Sequence, residues 1–428
     1  MKKSPVYIVD GCRTPFLKFK GKPGPFRASD LATAASNQLF NRLPISPRDL
    51  DEVIFGCMMP TPDEANIARI IGLRIGCDES IPAFTVQRNC ASGLQALDTA
   101  ANNIMLGKAD LVLAGGAEAM SHAPVLLNQS MVEWLADFSK AKTMAGKVKV
   151  LSRLRGKHLT PIIALMVGLT DPLNGMSMGQ TAEELAYRFG VSREEMDSFS
   201  VMSHRNADFA HEHGWFSDEL VSVYDLKGRV YDRDDGVRND STLEGLARLK
   251  PYFDKPFGMV TPGNSAQITD GAAVLLLASE KAVMKHNLGV LGEIVDSSWV
   301  GVEPSVMGLG PVNAITPIMK RHNLMFNDVN HWEINEAFAA QVLGCINAWD
   351  DETYRKEKLN LDHSFGKFNM NKLNVDGGGI SIGHPVGASG ARIVLHLLNT
   401  LKRTETKRGI ASLCIGGGQG GAMMVERV

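Results

Sequence analysis

Short apolar runs recur along the chain: VYIVDG from Val6, EVIFGC from Glu52, DLVLAGG from Asp110, AAVLLLAS from Ala272 and GIASLCIGGG from Gly409. Their length and β-branched or leucine-rich content predict buried strands, and glycine closes most of them. Longer stretches with helical spacing lie between, so the pattern predicts an α/β protein whose sheets are covered by helices. One pairing occurs twice. The stretch CASGLQALDTAANNIMLGK leads into ADLVLAGGAEAM, and much later GASGARIVLHLLNTLKR leads into RGIASLCIGGGQGGAMM. In both, a small-residue ASG turn opens the helix and a glycine cluster ends the strand, which reads as one unit present in two copies. A pseudo-twofold relation between the copies would turn both helix N-termini toward one cleft.

From about Pro124 to Phe253 the pattern changes, with more charge, more methionine and irregular spacing. This reads as an inserted loop domain. Within it, Phe138 to Thr170 has no acidic residue but holds Lys140, Lys142, Lys147, Lys149, Arg153, Arg155 and Lys157, and it ends in LTPIIALMVGLT. A basic stretch beside an apolar one predicts an exposed docking surface at residues 138–170, outside the catalytic core, for a peripheral membrane contact or a partner subunit. An ordinary solvated face, or contact with a ligand's phosphates, are the competing readings. Helical order returns in TAEELAYRFGVSREEMDSFSVMSHRNADFAHEHG, and the chain re-enters the first core through GMVTPGNSAQITDGAAVLLLAS.

A length of 428 residues exceeds what one core usually supports, which agrees with a duplicated unit. With 45 basic and 47 acidic side chains the formal net charge is -2, so no whole-protein attraction for nucleic acid exists and an anionic ligand must be met locally. The six cysteines, at 12, 57, 77, 90, 345 and 414, form neither CxxC nor Cys/His metal spacing, which predicts no metal site and a reducing, cytoplasmic setting. Lys2 and Lys3 run directly into the first strand pattern without the apolar region of a secretory signal. LTPIIALMVGLT falls short of the roughly 20 residues that span a bilayer.

Four constellations can carry chemistry. QRNCASG puts Cys90 where a strand gives way to a helix, near free amides and the positive end of the helix dipole, both of which favour a thiolate. Cys12, Cys57, Cys77 and Cys345 lack that company and read as small buried hydrophobes. In DGGGISIGHPVGASG, His384 precedes a proline and a small-residue helix start, so its imidazole sits beside the cleft and can take a thiol proton. His204, His211 and His213 read as satisfied structural residues. In SLCIGGGQGG, Cys414 ends a strand and glycine amides follow; a nucleotide phosphate loop is the other reading, but it needs a following helix and the chain ends in AMMVERV. Asn335 in WEINEAFAAQ stands at a strand-to-helix turn, as an N-cap or as an amide aimed into the cleft.

NCASG, NEAF, GHPVGASG and CIGGGQGG, in this order, resemble the thiolase family over nearly the whole chain. The resemblance implies an α/β thiolase fold, five-layered α/β/α/β/α, with an N-terminal core (1–123 and 254–289), an inserted loop domain (124–253) and a C-terminal core (290–428). It implies that Cys90 accepts the acyl group, that His384 activates it and that Cys414 is a second acid/base. Asn335 would hold a water that, with His384, stabilises a thioester oxyanion, and the amides of Cys90 and Gly416 would form the other hole. Coenzyme A enters as substrate, with no permanently bound cofactor. Met178 matches a methionine on the pantetheine path, Arg238 an arginine near the adenine, and Phe338 follows the asparagine as in the family. Two serines of biosynthetic thiolases are replaced by Gly245 and Ala266, with Ser265 one position earlier as the substitute for the second. The long insertion is similar to that of the β-subunit of fatty-acid-oxidation complexes, which implies fatty acid β-oxidation, longer acyl chains, a hydratase/dehydrogenase α-subunit as partner, and a homodimer or dimer of dimers. Alternatives are an acetoacetyl-CoA thiolase, a ketoacyl synthase (against which Cys414 speaks) and a non-catalytic lipid-binding relative.

Overall fold

The computed structural model describes residues 4–428; Lys2 and Lys3 lie outside them. Its main sheet holds β1 (Val6–Arg13), β2 (Glu52–Gly56), β3 (Ala83–Val86), β4 (Leu111–Ala119), β5 (Thr269–Ser279), β6 (Gly292–Gly301), β7 (His331–Ile334), β8 (Arg408–Ile415) and β9 (Gln419–Glu426). They run in the spatial order β7-β8-β9-β6-β1-β5-β4-β2-β3, and Leu17–Lys18 adds a short tenth strand beside β5. The predicted strands are all present.

The duplication is visible in the pairing. In the first half β2 runs parallel to β4, which pairs antiparallel with β5 and that with β1; in the second, β7 runs parallel to β8, then β9 and β6 follow antiparallel. Among the described residues β1 and β6 join the halves through two paired positions, Tyr7 with Glu293 and Ile8 with Gly292. The sheet is therefore continuous across the duplication, which the repeat alone did not predict.

Ten helices matter here: α1 (Ala28–Asn41), α2 (Ile67–Arg74), α3 (Ser92–Met105), α4 (Gln129–Lys140), α5 (Met144–Leu151), α6 (Met178–Arg188), α7 (Arg193–Glu212), α8 (Gly310–Arg321), α9 (Ala339–Asp350) and α10 (Val386–Arg403). Three apolar cores separate the layers. One lies between α1, α2 and the first half-sheet, one around α3 and α10 in the middle, and one between the second half-sheet and α8 and α9. The result is the five-layered arrangement α/β/α/β/α.

The ASG turns explain how two helices share the central layer. A Cβ on Gly93 would stand 2.7 Å from the Gly387 carbonyl oxygen, and one on Gly390 2.4 Å from the Leu94 nitrogen. Any side chain there would force α3 and α10 apart. Every residue of α10 from Val386 to Leu401 is buried, including Arg392 and His396. Arg392 is met by Glu333 at 3.0 Å, and His396 by Glu219 at 2.9 Å and Asp376 at 3.0 Å. Burial alone would lower the His396 pKa, but the two carboxylates overcome this and hold it up at about 10. Glu219 also takes Arg13 at 2.6 Å, so the second part of the insertion is tied by charge to both β1 and α10.

The insertion does not behave as one unit. Its second part starts two helices with Ser-x-x-Gln/Glu capping boxes, at Ser177 with Gln180 and Ser192 with Glu195. Ala182, Leu185, Met196 and Phe199 of those helices join the core of the C-terminal half. Its first part is an excursion: Val125–Leu127 pairs with Pro161–Ile163, and α4 and α5 between them expose every residue at least partly. Met144 is 76% and Val148 59% exposed, although amphipathic helices normally bury such side chains. Among the described residues no helix is long and apolar enough to cross a membrane.

Candidate active site

Cys90, His384 and Cys414, far apart in sequence, line one cavity of about 690 Å³. Cys90 sits on the turn between β3 and α3. Asn89, with φ 44°, takes the left-handed conformation that asparagine tolerates better than most residues. Its side-chain amide donates to the Gly416 carbonyl at 2.8 Å, fastening the turn to the loop after β8. Ser92 closes the turn, accepting from the Arg88 amide at 2.9 Å and donating to the Asn89 carbonyl at 2.7 Å.

The expected thiolate does not follow. Burial raises the Cys90 pKa, and the amides of Gly416 and of Cys90 itself, which reach its sulfur, lower it without offsetting that effect; Glu118 adds to the rise. The resting group is a thiol, which could act as a nucleophile only with the help of a base.

His384 is suited to be that base. Burial, and secondarily Arg392, hold its pKa down at about 4, so the imidazole is neutral at physiological pH. Its Nδ1 lies 2.6 Å from Ser389 Oγ, and the Ser389 hydroxyl donates to the Pro385 carbonyl at 3.1 Å. Nδ1–H then donates to Ser389 and Nε2 keeps its lone pair. Asn335 lies behind the ring, its side-chain nitrogen 3.5 Å from both imidazole nitrogens. The N-cap reading of Asn335 is excluded: α9 begins at Ala339 with Phe338 at its cap position.

Cys414 ends β8 and is a buried thiol, its pKa well above the ordinary value through burial and the neighbouring Cys90 and Cys345. Gly417 and Gly418, with φ 88° and 84°, turn the chain directly into β9, so no phosphate-binding helix follows. Gly416 does not line the cavity; a Cβ there would stand 3.2 Å from Met178 Sδ.

Met178, Arg238, Ser265 and Phe338 all line the cavity. Phe338 packs edge-on against Phe253, with ring centroids 5.9 Å apart. Arg238 donates its amide to His204 Nδ1 at 3.1 Å, and burial together with Arg238 and Lys18 holds His204 down at about 4. Lys18 stands close enough to Arg238 and His204 to act on both, and Lys255 lines the cavity as well, on a chain with almost no net charge. Ser265 already donates its hydroxyl to the Thr261 carbonyl at 2.7 Å, while Gly245 is exposed and away from the lining. Ser241 lines the cavity instead, and its hydroxyl has no partner among the described residues. Nothing in RNDST distinguished it from a loop serine. The insertion also enters the site: Met166, Leu169 and Thr170 belong to the lining, so residues 138–170 are not wholly outside the catalytic core as expected.

Two buried carboxylates escaped the sequence reading as supports. Glu118 accepts from the amides of Met58 at 2.8 Å, Met59 at 3.0 Å and Gly387 at 3.0 Å. Glu336 accepts from Ser203 Oγ at 2.7 Å, the Asn374 side chain at 2.9 Å and the Ile380 amide at 3.1 Å, shaping the loop that carries His384. Both lie in motifs already noted, GGAEAM and NEAF, but a strand-end acid shows its donors only once the fold is known.

The family model described as "Thiolase, N-terminal domain" matches residues 6–281, and "Thiolase, C-terminal domain" matches 288–427. A 3-ketoacyl-CoA thiolase of Yersinia pestis (strain Pestoides F) is 35% identical over 427 residues, spanning 98% of this chain and 96% of that protein. Human mitochondrial 3-ketoacyl-CoA thiolase in complex with CoA superposes with a TM-score of 0.84 at 35% identity, covering 99% of this chain and 98% of that one. Acetyl-CoA acetyltransferase from Syntrophomonas wolfei gives 0.86 at 34% identity, with 100% of each chain covered. Fold, site and likeness together define an acyltransferase. The chain belongs to the thiolase family.

Proposed function

We propose that this thiolase is degradative, cleaving a 3-ketoacyl-CoA with CoA into acetyl-CoA and a shortened acyl-CoA through an acyl-enzyme on Cys90. The observation that carries it is the meeting of two thiols and a neutral imidazole in one cavity, with the Gly416 amide at the Cys90 sulfur. His384 Nε2 takes the Cys90 proton and the thiolate adds to C3 of the substrate. The oxyanion is held by the amides of Cys90 and Gly416. The C2–C3 bond then breaks. Its electron pair passes into the enolate of acetyl-CoA, stabilised by His384 and a water held by Asn335, and Cys414 supplies the proton to C2. After acetyl-CoA leaves, the Cys414 thiolate takes the proton of incoming CoA, whose sulfur attacks the acyl group. Cys90 departs and recovers its proton from His384.

Met178, Phe338 and Ser265 flank the pantetheine in this reading, and Arg238 with Lys18 and Lys255 receives phosphate, compensating for Gly245 and Ala266. Action in β-oxidation in the cytoplasm, as a homodimer or dimer of dimers beside a hydratase/dehydrogenase subunit, belongs to the same reading and rests on the resemblance. The purified chain is expected to thiolyse both C4 and C16 3-ketoacyl-CoA, with the greater kcat/KM for C16. Turnover of the C4 substrate alone would favour an acetyl-CoA acetyltransferase, the reading that likeness to the Syntrophomonas structure supports.

The exposed excursion of residues 125–167 is proposed to rest on an anionic membrane. Apolar side chains such as Met144, Val148, Leu159 and Val167 face solvent beside an acid-free basic run, a pairing that joins headgroup attraction to shallow apolar burial. The protein should co-sediment with phosphatidylserine vesicles at low salt. Each basic residue contributes about 1 kcal/mol near such a surface, so reversing Lys147, Lys149, Arg153 and Arg155 to Glu should abolish the binding. Binding indifferent to salt and to these reversals would contradict the membrane role.

A further inference from the structure

The stretch GISIGH that ends in His384 is neither helix nor strand, so its shape depends on what holds it. Gln267, two residues before β5, holds it at several points. Its side-chain nitrogen donates to the Ile380 carbonyl at 3.0 Å and reaches that of Ser381 at 3.4 Å, while its backbone carbonyl accepts from the His384 amide at 3.2 Å. The same side-chain nitrogen donates to the Gly236 carbonyl at 2.9 Å, two residues before Arg238. Three carbonyls around one side-chain end require a donor there, which fixes the orientation of the amide. Its Oε1 is buried with no partner among the described residues. Leaving an acceptor orphaned is unfavourable, so what Gln267 contributes lies with its nitrogen.

The segments it joins are close. A Cβ on Gly236 would stand 2.9 Å from Gln267 Nε2 and 3.0 Å from the Ser381 carbonyl oxygen. A second link runs beside this one. His204 Nδ1 accepts from the Arg238 amide, and the neighbouring Ser203 lies 2.8 Å from Ser381 Oγ and donates to Glu336 at 2.7 Å. The loop of Arg238 and the loop of His384 are therefore fastened to each other, and the Gln267 amide bonds to the backbone of both.

Resting on the proposed roles of His384 as base and Arg238 as phosphate contact, we infer that Gln267 is a positioning residue. Through its side-chain amide, phosphate bound at Arg238 sets the loop that carries His384 for proton transfer from Cys90. Part of the binding energy of the nucleotide end then goes into aligning the base, and it shows in kcat as well as in KM.

The test is a double-mutant cycle on steady-state thiolysis with Gln267→Met, Arg238→Met and the double variant, each with its thermal transition recorded. Methionine keeps the length of glutamine and deletes the donor. Gln267→Met should lower kcat by about tenfold or more, since a misplacement of about 1 Å in a catalytic site costs up to about 10²-fold. Arg238→Met should raise KM for the acyl-CoA and also lower kcat. On the Gln267→Met background it should raise KM as before and leave kcat unchanged, because the link is already cut. Falls in kcat that multiply independently, or an effect of Gln267→Met on KM alone, would overturn the inference while the Cys90 chemistry stands. Where Gln267→Met loses its thermal transition, the wild type decides the matter with a 3-ketoacyl-pantetheine thioester, which has no nucleotide end. Its saturating rate of Cys90 acylation should fall about tenfold or more below that of the CoA thioester, and an undiminished rate would overturn the inference. An Arg238→Met protein with both KM and kcat unchanged would instead overturn the phosphate reading of Arg238, and the inference with it.

Discussion

Replacing Cys90 by serine should reduce thiolysis by about 10⁴-fold or more, the scale seen when the nucleophile of an acyl-transfer site is removed. The reason lies in how the site is balanced. Burial already raises the Cys90 thiol, and the Gly416 and Cys90 amides recover only part of that rise. Even so raised, a thiol is more acidic than a hydroxyl and yields its proton to His384 more readily. A hydroxyl is far less acidic, and an imidazole whose own pKa burial holds down at about 4 is too weak a base to ionise it. The change removes no packing of consequence, since Cys90 is half-buried and the Asn89 and Ser92 hydrogen bonds that shape the turn do not involve its sulfur. The Cys90→Ser protein should keep its thermal transition and lose its turnover. Retained thiolysis would remove Cys90 from the nucleophile's role.

Cys414→Ala is expected to slow the full cycle by about 10²-fold or more, the usual contribution of a positioned acid/base, while Cys90 remains able to take an acyl group from a thioester that needs no C2 protonation. Cys414 is wholly buried at the end of β8, with Cys90 among the groups that raise its pKa. A proton held there is given up only to a strong base, and an enolate carbon is one. Steady-state thiolysis should therefore fall much further than single-turnover acylation by an activated acyl thioester. If both fall equally, Cys414 acts through packing or access, not through its proton.

Much of this was legible because close packing leaves a trace in sequence. Gly93 and Gly390 are glycines since two helices meet there at backbone distance, and the paired ASG turns make the duplication readable in the sequence. The strands were legible from their apolar runs and glycine ends. What depends on partners distant in sequence was not. Glu118 meets Gly387 from 269 positions away, and Arg13 meets Asp234 from 221. The direction of the Cys90 pKa also stayed hidden, since a helix start signals stabilising amides but the amount of burial is a property of the assembled cavity. The insertion was misread in part for the same reason. Its basic and apolar residues predicted exposure correctly for α5, yet the apolar end at 165–170 folds back onto Met58 and Met59 and supplies part of the cavity wall. Gly245 and Ala266 led to the expectation that CoA is held differently here, but only the folded chain brings Ser241 to the cavity lining.

The most direct measurement of the central claim is mass spectrometry of the protein after brief exposure to a 3-ketoacyl-CoA without free CoA, so that the second half of the reaction cannot proceed. The account predicts an adduct of the shortened acyl group on the peptide carrying Cys90, discharged on addition of CoA. An adduct confined to Cys414, or none on either cysteine while turnover continues, would contradict it.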